Sequence, residues 1–224
     1  AAVPALGHTI NEGNIRAVLN DPPHVVQTEI LARWIHQKDA VIPALSWVAC
    51  TDDIDLDPDK QTWFGLDLSP DRRAGALVAA QVIDGDRFMI KLIRTWENSI
   101  SLNDLSMAND IADHCKKYPV EMVAYSKRTA SNVATRLSPA GIPIQDIDGA
   151  LYAMACDQLL SAITSGRLRH KENEELTKQM LSAVRLPHGD GGWIIGRRAS
   201  QANVTACVAA ALATHFATRP ETEI

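Results

Sequence analysis

The feature that most constrains this chain is a pair of long apolar runs, AGALVAAQVI and RFMIKLIRTW, joined by Asp84-Gly85-Asp86. An Asp-Gly turn between strand-forming runs signals a β-hairpin, because glycine adopts the positive φ that such turns require. The hairpin is preceded by TWFGLDLS, a short apolar run that stops at Ser69-Pro70 and reads as a first strand. Beyond it, helix and strand alternate. Ser101 and Asp104 make a capping-box-like helix start, and Leu102, Leu105, Ile111, Ala112 and Cys115 then line one helical face. EMVAYS reads as a fourth strand, followed by a helix over 129–137 that stops near Pro139 and Gly141, and by IPIQDI as a fifth strand. Helices over 149–165 and 173–184, a glycine turn, the short strand WIIG and a last apolar helix with Val204, Cys207, Val208, Ala211 and Leu212 complete the pattern. This order implies an α/β fold: a mixed sheet of antiparallel hairpin strands and parallel strands, flanked by helices.

Residues 1–60 read differently. Asp21 before Pro22 and Pro23 is a helix start, and Val26, Ile30, Leu31, Trp34 and Ile35 form one apolar stripe. VIPALSW and the acidic, proline-containing TDDIDLDPDK follow. The second of these reads as a boundary, so residues 1–60 are expected as an arm or linker and residues 61–224 as the α/β domain.

Bulk composition narrows the function classes. With 22 basic and 27 acidic side chains the net charge is −5, so any nucleic-acid contact must come from local clusters. No apolar run reaches the ~20 residues of a membrane span. The opening AAVPALGHTI has no basic region before an apolar one, so a secretory signal is not expected. Cys50, Cys115, Cys156 and Cys207 are far apart, which reads as buried free thiols in a reducing setting rather than as a zinc site. There is no G-x-x-x-x-G-K-[ST] loop, so the chain is not by itself a P-loop motor, and neither H-E-x-x-H nor G-x-S-x-G occurs.

Asp67 is the most informative residue. Its neighbours Phe64, Leu66 and Leu68 are apolar, and a carboxylate buried among them needs a cation or hydrogen-bond donors. It reads either as a metal-binding carboxylate or as a strand-end cap of the Ser69-Pro70 turn.

A first strand with a central aspartate, a hairpin, a helix and a fourth strand is the order of ribonuclease H-like nucleases. More narrowly, the chain resembles the C-terminal nuclease domain of phage large terminase subunits. The resemblance rests on WFGLDLSPDRRAGALVA, VEMVAYSKRTASNVATRL, GALYAMACDQLLSAITSGRLRH and SQANVTACVAAALATHFA. PALGHTINEGNI and VIPALSW resemble the segment that links the terminase ATPase to its nuclease. It implies an endonuclease that cuts concatemeric double-stranded viral DNA by two-metal hydrolysis with Mg²⁺ or Mn²⁺. The implied partners are an ATPase domain, a small terminase subunit and a portal, in the cytoplasm of an infected bacterial host.

The departures are specific. Ser126 stands where the family has a second catalytic aspartate, Thr205 where it has a third, and Arg73 where an accessory aspartate often lies. Hydroxyls are poor ligands for hard divalent ions, so a site with Asp67 alone should bind metal weakly. Three readings stay open: Asp71, Asp148 or Asp190 completes the site, residue 126 carries an inactivating change, or the domain is a catalytically degenerate DNA- or portal-binding module. Asp71 also reads as a turn residue, Asp148 as a helix cap and Asp190 as part of the HGDGG turn. Basic side chains cluster where the implied topology places the rim of the site: Arg72, Arg73, Lys127, Arg128, Arg167, Arg169, Lys171, Arg197 and Arg198. These suit phosphate-backbone contacts, and His170 matches a position often histidine in the family.

Overall fold

The computed structural model describes residues 40–200 and 202–218. The arm helix expected near residues 21–35 lies outside them.

The described chain runs α1 (Ala44–Ala49), β1 (Thr62–Leu68), β2 (Ala74–Asp84), β3 (Arg87–Glu97), α2 (Asp104–Cys115), β4 (Val120–Ser126) and α3 (Lys127–Ala134). It continues with β5 (Ile144–Ile147), α4 (Gly149–Thr164), β6 (Leu168–His170), α5 (Glu174–Leu181), β7 (Arg185–His188), β8 (Gly192–Ile195) and α6 (Thr205–Ala217). Six strands form one sheet in the order β5-β4-β1-β2-β3-β6, and β7 and β8 form a separate antiparallel ribbon. The hairpin strands pair antiparallel, with Gly85 at φ +50° in their turn, while β4 lies parallel to β1 and β5 parallel to β4. The sheet is therefore mixed, as the order of runs implies.

β1 is central because it is buried on both faces. Phe64, Leu66 and Leu68 point into a cluster with Met107, Ala108 and Ile111 of α2 and Ala130, Val133 and Ala134 of α3. Gly65 lies on the other face, under α6. A Cβ at Gly65 would sit 1.9 Å from the Ala209 carbonyl oxygen and 2.9 Å from the Ala213 nitrogen. Only hydrogen fits between this strand and helix, so glycine sets how closely α6 approaches the sheet. Two residues further along the same face is Asp67.

Three elements were not legible as such. β6, inside the basic stretch SGRLRHK, pairs parallel with β3; Leu168 and His170 are buried while Arg169 between them is partly exposed. β7 and α1 are also short, four and six residues, too short for periodicity to reveal. At α2 the cap is Asn103, whose side chain accepts from the Leu105 and Ser106 N–H groups, rather than Ser101. Leu102 N–H is tied to the Arg72 carbonyl, and the Asn98 side chain accepts from the Ile100 and Ser101 N–H groups, so the helix starts only after this bend.

The stretch 40–60, read as boundary and linker, is built into this domain. Trp47 is 1% exposed, stacks on His170 at 3.8 Å between ring centroids, and donates from Nε1 to Thr177 Oγ1. Ala40 bridges to Val184, Thr51 bridges to His170, and Gln81 exchanges hydrogen bonds with the Asp57 backbone. Acidic and proline-rich composition marks loops, but it does not reveal that the apolar side chains between them are anchored.

All four cysteines are buried and free. Burial pushes the Cys115 thiol up to about 12 and Cys156 to about 11, which leaves both unreactive.

Two predictions follow from packing. Gly65→Ala should lower stability by at least the ~1–3 kcal/mol typical of overpacking, because the clash is with backbone; denaturant unfolding measures it, and an unchanged midpoint would mean that α6 is free to shift. His170 has Nε2 at 3.1 Å from the Trp47 carbonyl and Nδ1 at 3.1 Å from the Lys171 carbonyl. Burial nevertheless outweighs these acceptors and holds the imidazole below its ordinary range. The unfolded chain therefore takes up the proton first, so the His170 contribution is present above the ordinary histidine value and is lost as pH falls from there through the lower value held in the fold. The melting temperature should drop on going from pH 7.5 to 5.5 by less in His170→Phe than in the native protein.

Candidate functional site

A buried ion pair stands at the carboxyl end of β1. Asp67 is 0% exposed. Arg197 donates from Nη2 to Asp67 Oδ1 at 2.8 Å and from Nε to Oδ2 at 3.0 Å, a two-pronged guanidinium–carboxylate fork. Thr129 Oγ1, in the first turn of α3, donates to Oδ1 at 2.7 Å. The same Arg197 Nη2 donates to Ser126 Oγ at 3.1 Å.

The sheet explains this convergence. Leu66 is opposite Tyr125 in the parallel pairing of β1 and β4, so Asp67 and Ser126 come next along adjacent strands. Arg197 enters from the loop between β8 and α6, with its guanidinium 4.9 Å from the ring centroid of Tyr152. Tyr152 Oη in turn donates to the Ile195 carbonyl at 2.9 Å, fixing the ring beneath the loop. Burial works against the guanidinium's charge, but the field and hydrogen bonds of Asp67 outweigh it and hold Arg197 above its ordinary range. Burial pushes the Tyr152 hydroxyl well up, so the phenol stays neutral.

Thr205, at the first position of α6, is 1% exposed, and its hydroxyl has no hydrogen-bond partner among the described residues. It lines a cleft of about 460 Å³ together with Ser69, Arg73, Arg197, Arg198 and Asn203.

The other expected carboxylates are used elsewhere. Asp71 accepts from Ser69 Oγ and from the Arg73 N–H, shaping the turn in which Arg72 adopts φ 60°; the Ser69 hydroxyl and the Arg73 N–H keep its carboxyl below the ordinary range. Asp148 caps α4 through the Gly149 N–H and pairs with Arg128. Asp190 is exposed in the turn between β7 and β8. None of the three is hydrogen-bonded to Asp67, Ser126 or Thr205 among the described residues.

A divalent ion does not fit this donor set. Both Asp67 oxygens already accept from cationic or hydroxyl donors, the neighbouring groups are hydroxyls, and hard ions need several charged oxygens. Among the described residues no group of three or more histidine, cysteine, aspartate or glutamate side chains could hold a metal ion. The buried carboxylate is neutralised by an arginine instead.

The basic side chains divide sharply. Arg72 pairs with Asp104, Lys127 with Asp146 and Arg128 with Asp148. Arg167 faces Asp86, Arg169 faces Asp52 and Lys171 pairs with Asp53. Arg197, expected on the rim, is turned inward. Arg73 and Arg198 are exposed and have no ion pair among the described residues.

Sequence reading placed Asp67, Ser126 and Thr205 together by resemblance but missed Thr129, Tyr152 and the inward role of Arg197. A signal for the Arg197-Arg198 pair, though not for which of the two, was present. With serine and threonine at the other two positions, a buried Asp67 needs a cation from elsewhere, and Arg197-Arg198 lies just before the last helix.

Removing the partner of a buried charge typically costs about 3–5 kcal/mol, so Arg197→Ala should destabilise the domain by that order. Mn²⁺ should leave the melting temperature of the native chain where EDTA leaves it. In an Arg197→Ala, Ser126→Asp variant Mn²⁺ should raise it, because two carboxylates are then exposed to the ion. A Mn²⁺-dependent rise in the native chain would show that metal displaces Arg197.

No family model and no curated protein matches the chain. Solved structures do. The large terminase of bacteriophage HK97 is similar at TM-score 0.69 and 18% identity, over 95% of this chain and 52% of that one. This chain thus spans about half the length of that protein. The large terminase nuclease of thermophilic phage G20c, solved with bound magnesium, is similar at TM-score 0.60 and 11% identity, over 80% of this chain and 97% of that one. The nuclease domain of the Thermus phage P74-26 large terminase is similar at TM-score 0.53 and 13% identity, over 71% and 81%. With its six-stranded mixed sheet and flanking helices, the chain has the ribonuclease H-like fold of phage large terminase nuclease domains.

Proposed function

We propose that this chain is a nuclease-fold module of a viral DNA-packaging motor that holds double-stranded DNA without hydrolysing it. One observation carries the reading: the carboxylate at the heart of the site, Asp67, is bound by Arg197, which also donates to Ser126 on the adjacent strand. Phosphodiester hydrolysis on this fold would require divalent ions held by several charged oxygens, and these residues offer one. What remains is a fold suited to lie against duplex DNA, with arginine side chains at the cleft over the same strand ends. Contacts of that kind read the sugar-phosphate backbone and carry little base specificity.

The motor assignment is supported by the similarity to large terminases, one of them about twice the length of this chain. On this reading the module works beside an ATPase domain, a small terminase subunit and a portal in the cytoplasm of the infected host. Among the described residues no helix is long and apolar enough to cross a membrane.

Metal-dependent cutting is the second reading, favoured by the G20c nuclease having been solved with magnesium and with cobalt. A plasmid assay in Mn²⁺ separates the two. Retention of duplex with the supercoiled form intact is the expected result. Nicking or linearisation that disappears in Asp67→Asn would establish the cutting enzyme, and absence of both binding and cutting would remove the DNA assignment.

A further inference from the structure

Two of the basic side chains expected to meet phosphate are available to do so, and both line one cleft. Arg73, at the end of the turn after β1, and Arg198, in the loop before α6, are exposed and without ion pairs among the described residues. Asp71 is the one carboxylate among the residues that line this cleft, and it is engaged by Ser69 Oγ and the Arg73 N–H. Thr205 lies in the same lining, with its buried hydroxyl unpartnered. Buried hydroxyls are nearly always hydrogen-bonded, so an orphan one in a cleft wall marks a position where an acceptor is missing. Threonine on a helix divides between two rotamers, so a turn about Cα–Cβ redirects that hydroxyl. Asn203 holds the Thr205 N–H at 3.1 Å, which fixes the first residue of the helix while its side chain turns.

We propose that this cleft seats one phosphate of the DNA backbone, gripped by the guanidinium groups of Arg73 and Arg198 and accepting from the Thr205 hydroxyl. The planar fork of arginine matches phosphate geometry, and the phosphate oxygen supplies the acceptor that Thr205 lacks. The contact is a direct arginine–phosphate one, beside a site whose own cation is Arg197. It deepens the DNA-holding reading above and rests on it. It also sorts the surface charges: the arginines and lysines already paired with aspartates contribute little, because the neighbouring carboxylate offsets their charge and repels a phosphate.

The test is a salt titration of full-chain binding to a short duplex of arbitrary sequence, read by fluorescence anisotropy. Arg73→Gln and Arg198→Gln should each flatten the dependence of log affinity on log salt by about one. Lys127→Gln and Arg128→Gln should leave that slope as it is. Thr205→Val should weaken binding several-fold at fixed salt while melting no lower than the native chain, since it deletes an unpartnered buried hydroxyl. Duplex binding with unchanged slopes in both arginine variants would overturn the cleft assignment and leave the DNA-holding reading in place. No duplex binding by the native chain would overturn both.

Discussion

A buried carboxylate must be neutralised, and in this protein Asp67 is neutralised by the guanidinium of Arg197. The pair fixes much else. Arg197 ties the loop between β8 and α6 to the centre of the sheet, and its contact with Tyr152 ties that loop to α4. Thr129 brings the first turn of α3 onto the same oxygen. Four segments distant in sequence thus meet at one charge. An uncompensated charge there would cost several kcal/mol, so β1 and the loop that carries Arg197 cannot part, and Thr129 and Tyr152 hold the pair from either side.

The close approach of α6 to β1 makes this meeting possible. Gly65 lets the Ala209 backbone lie against the strand, and the alanine-rich face of α6 follows it along the sheet. That contact carries the start of the helix, with Thr205, to the cleft above the strand ends. Ser126 and Thr205 carry no charge, and Arg197, reaching across from the adjoining loop, balances Asp67. An internal ion pair of this kind orders the segments that meet at it.

Much of this architecture was legible. The hairpin at Asp84-Gly85-Asp86, the strands around Asp67 and Ser126 and the last helix all lie where hydrophobic periodicity and turn residues put them. The pieces that escaped were short or anchored by side chains: β6 with three residues, α1 with six, and Trp47 stacked on His170. A segment of that length carries no measurable period, and its place depends on a partner 80 or more residues away in sequence.

The sequence by itself determined the secondary-structure order, the mixed sheet, the buried setting of Asp67 and the uncharged residues at positions 126 and 205. These are local matters, set by which side chains alternate and which residues turn the chain. Tertiary structure alone decided which cation Asp67 would receive. Arg197 and Arg198 are adjacent and chemically identical, yet one is folded inward onto Asp67 and Tyr152 while the other stays in solvent. Nothing in the order of residues distinguishes them, because the choice depends on the direction in which the loop after β8 presents each side chain to a carboxylate 130 residues earlier.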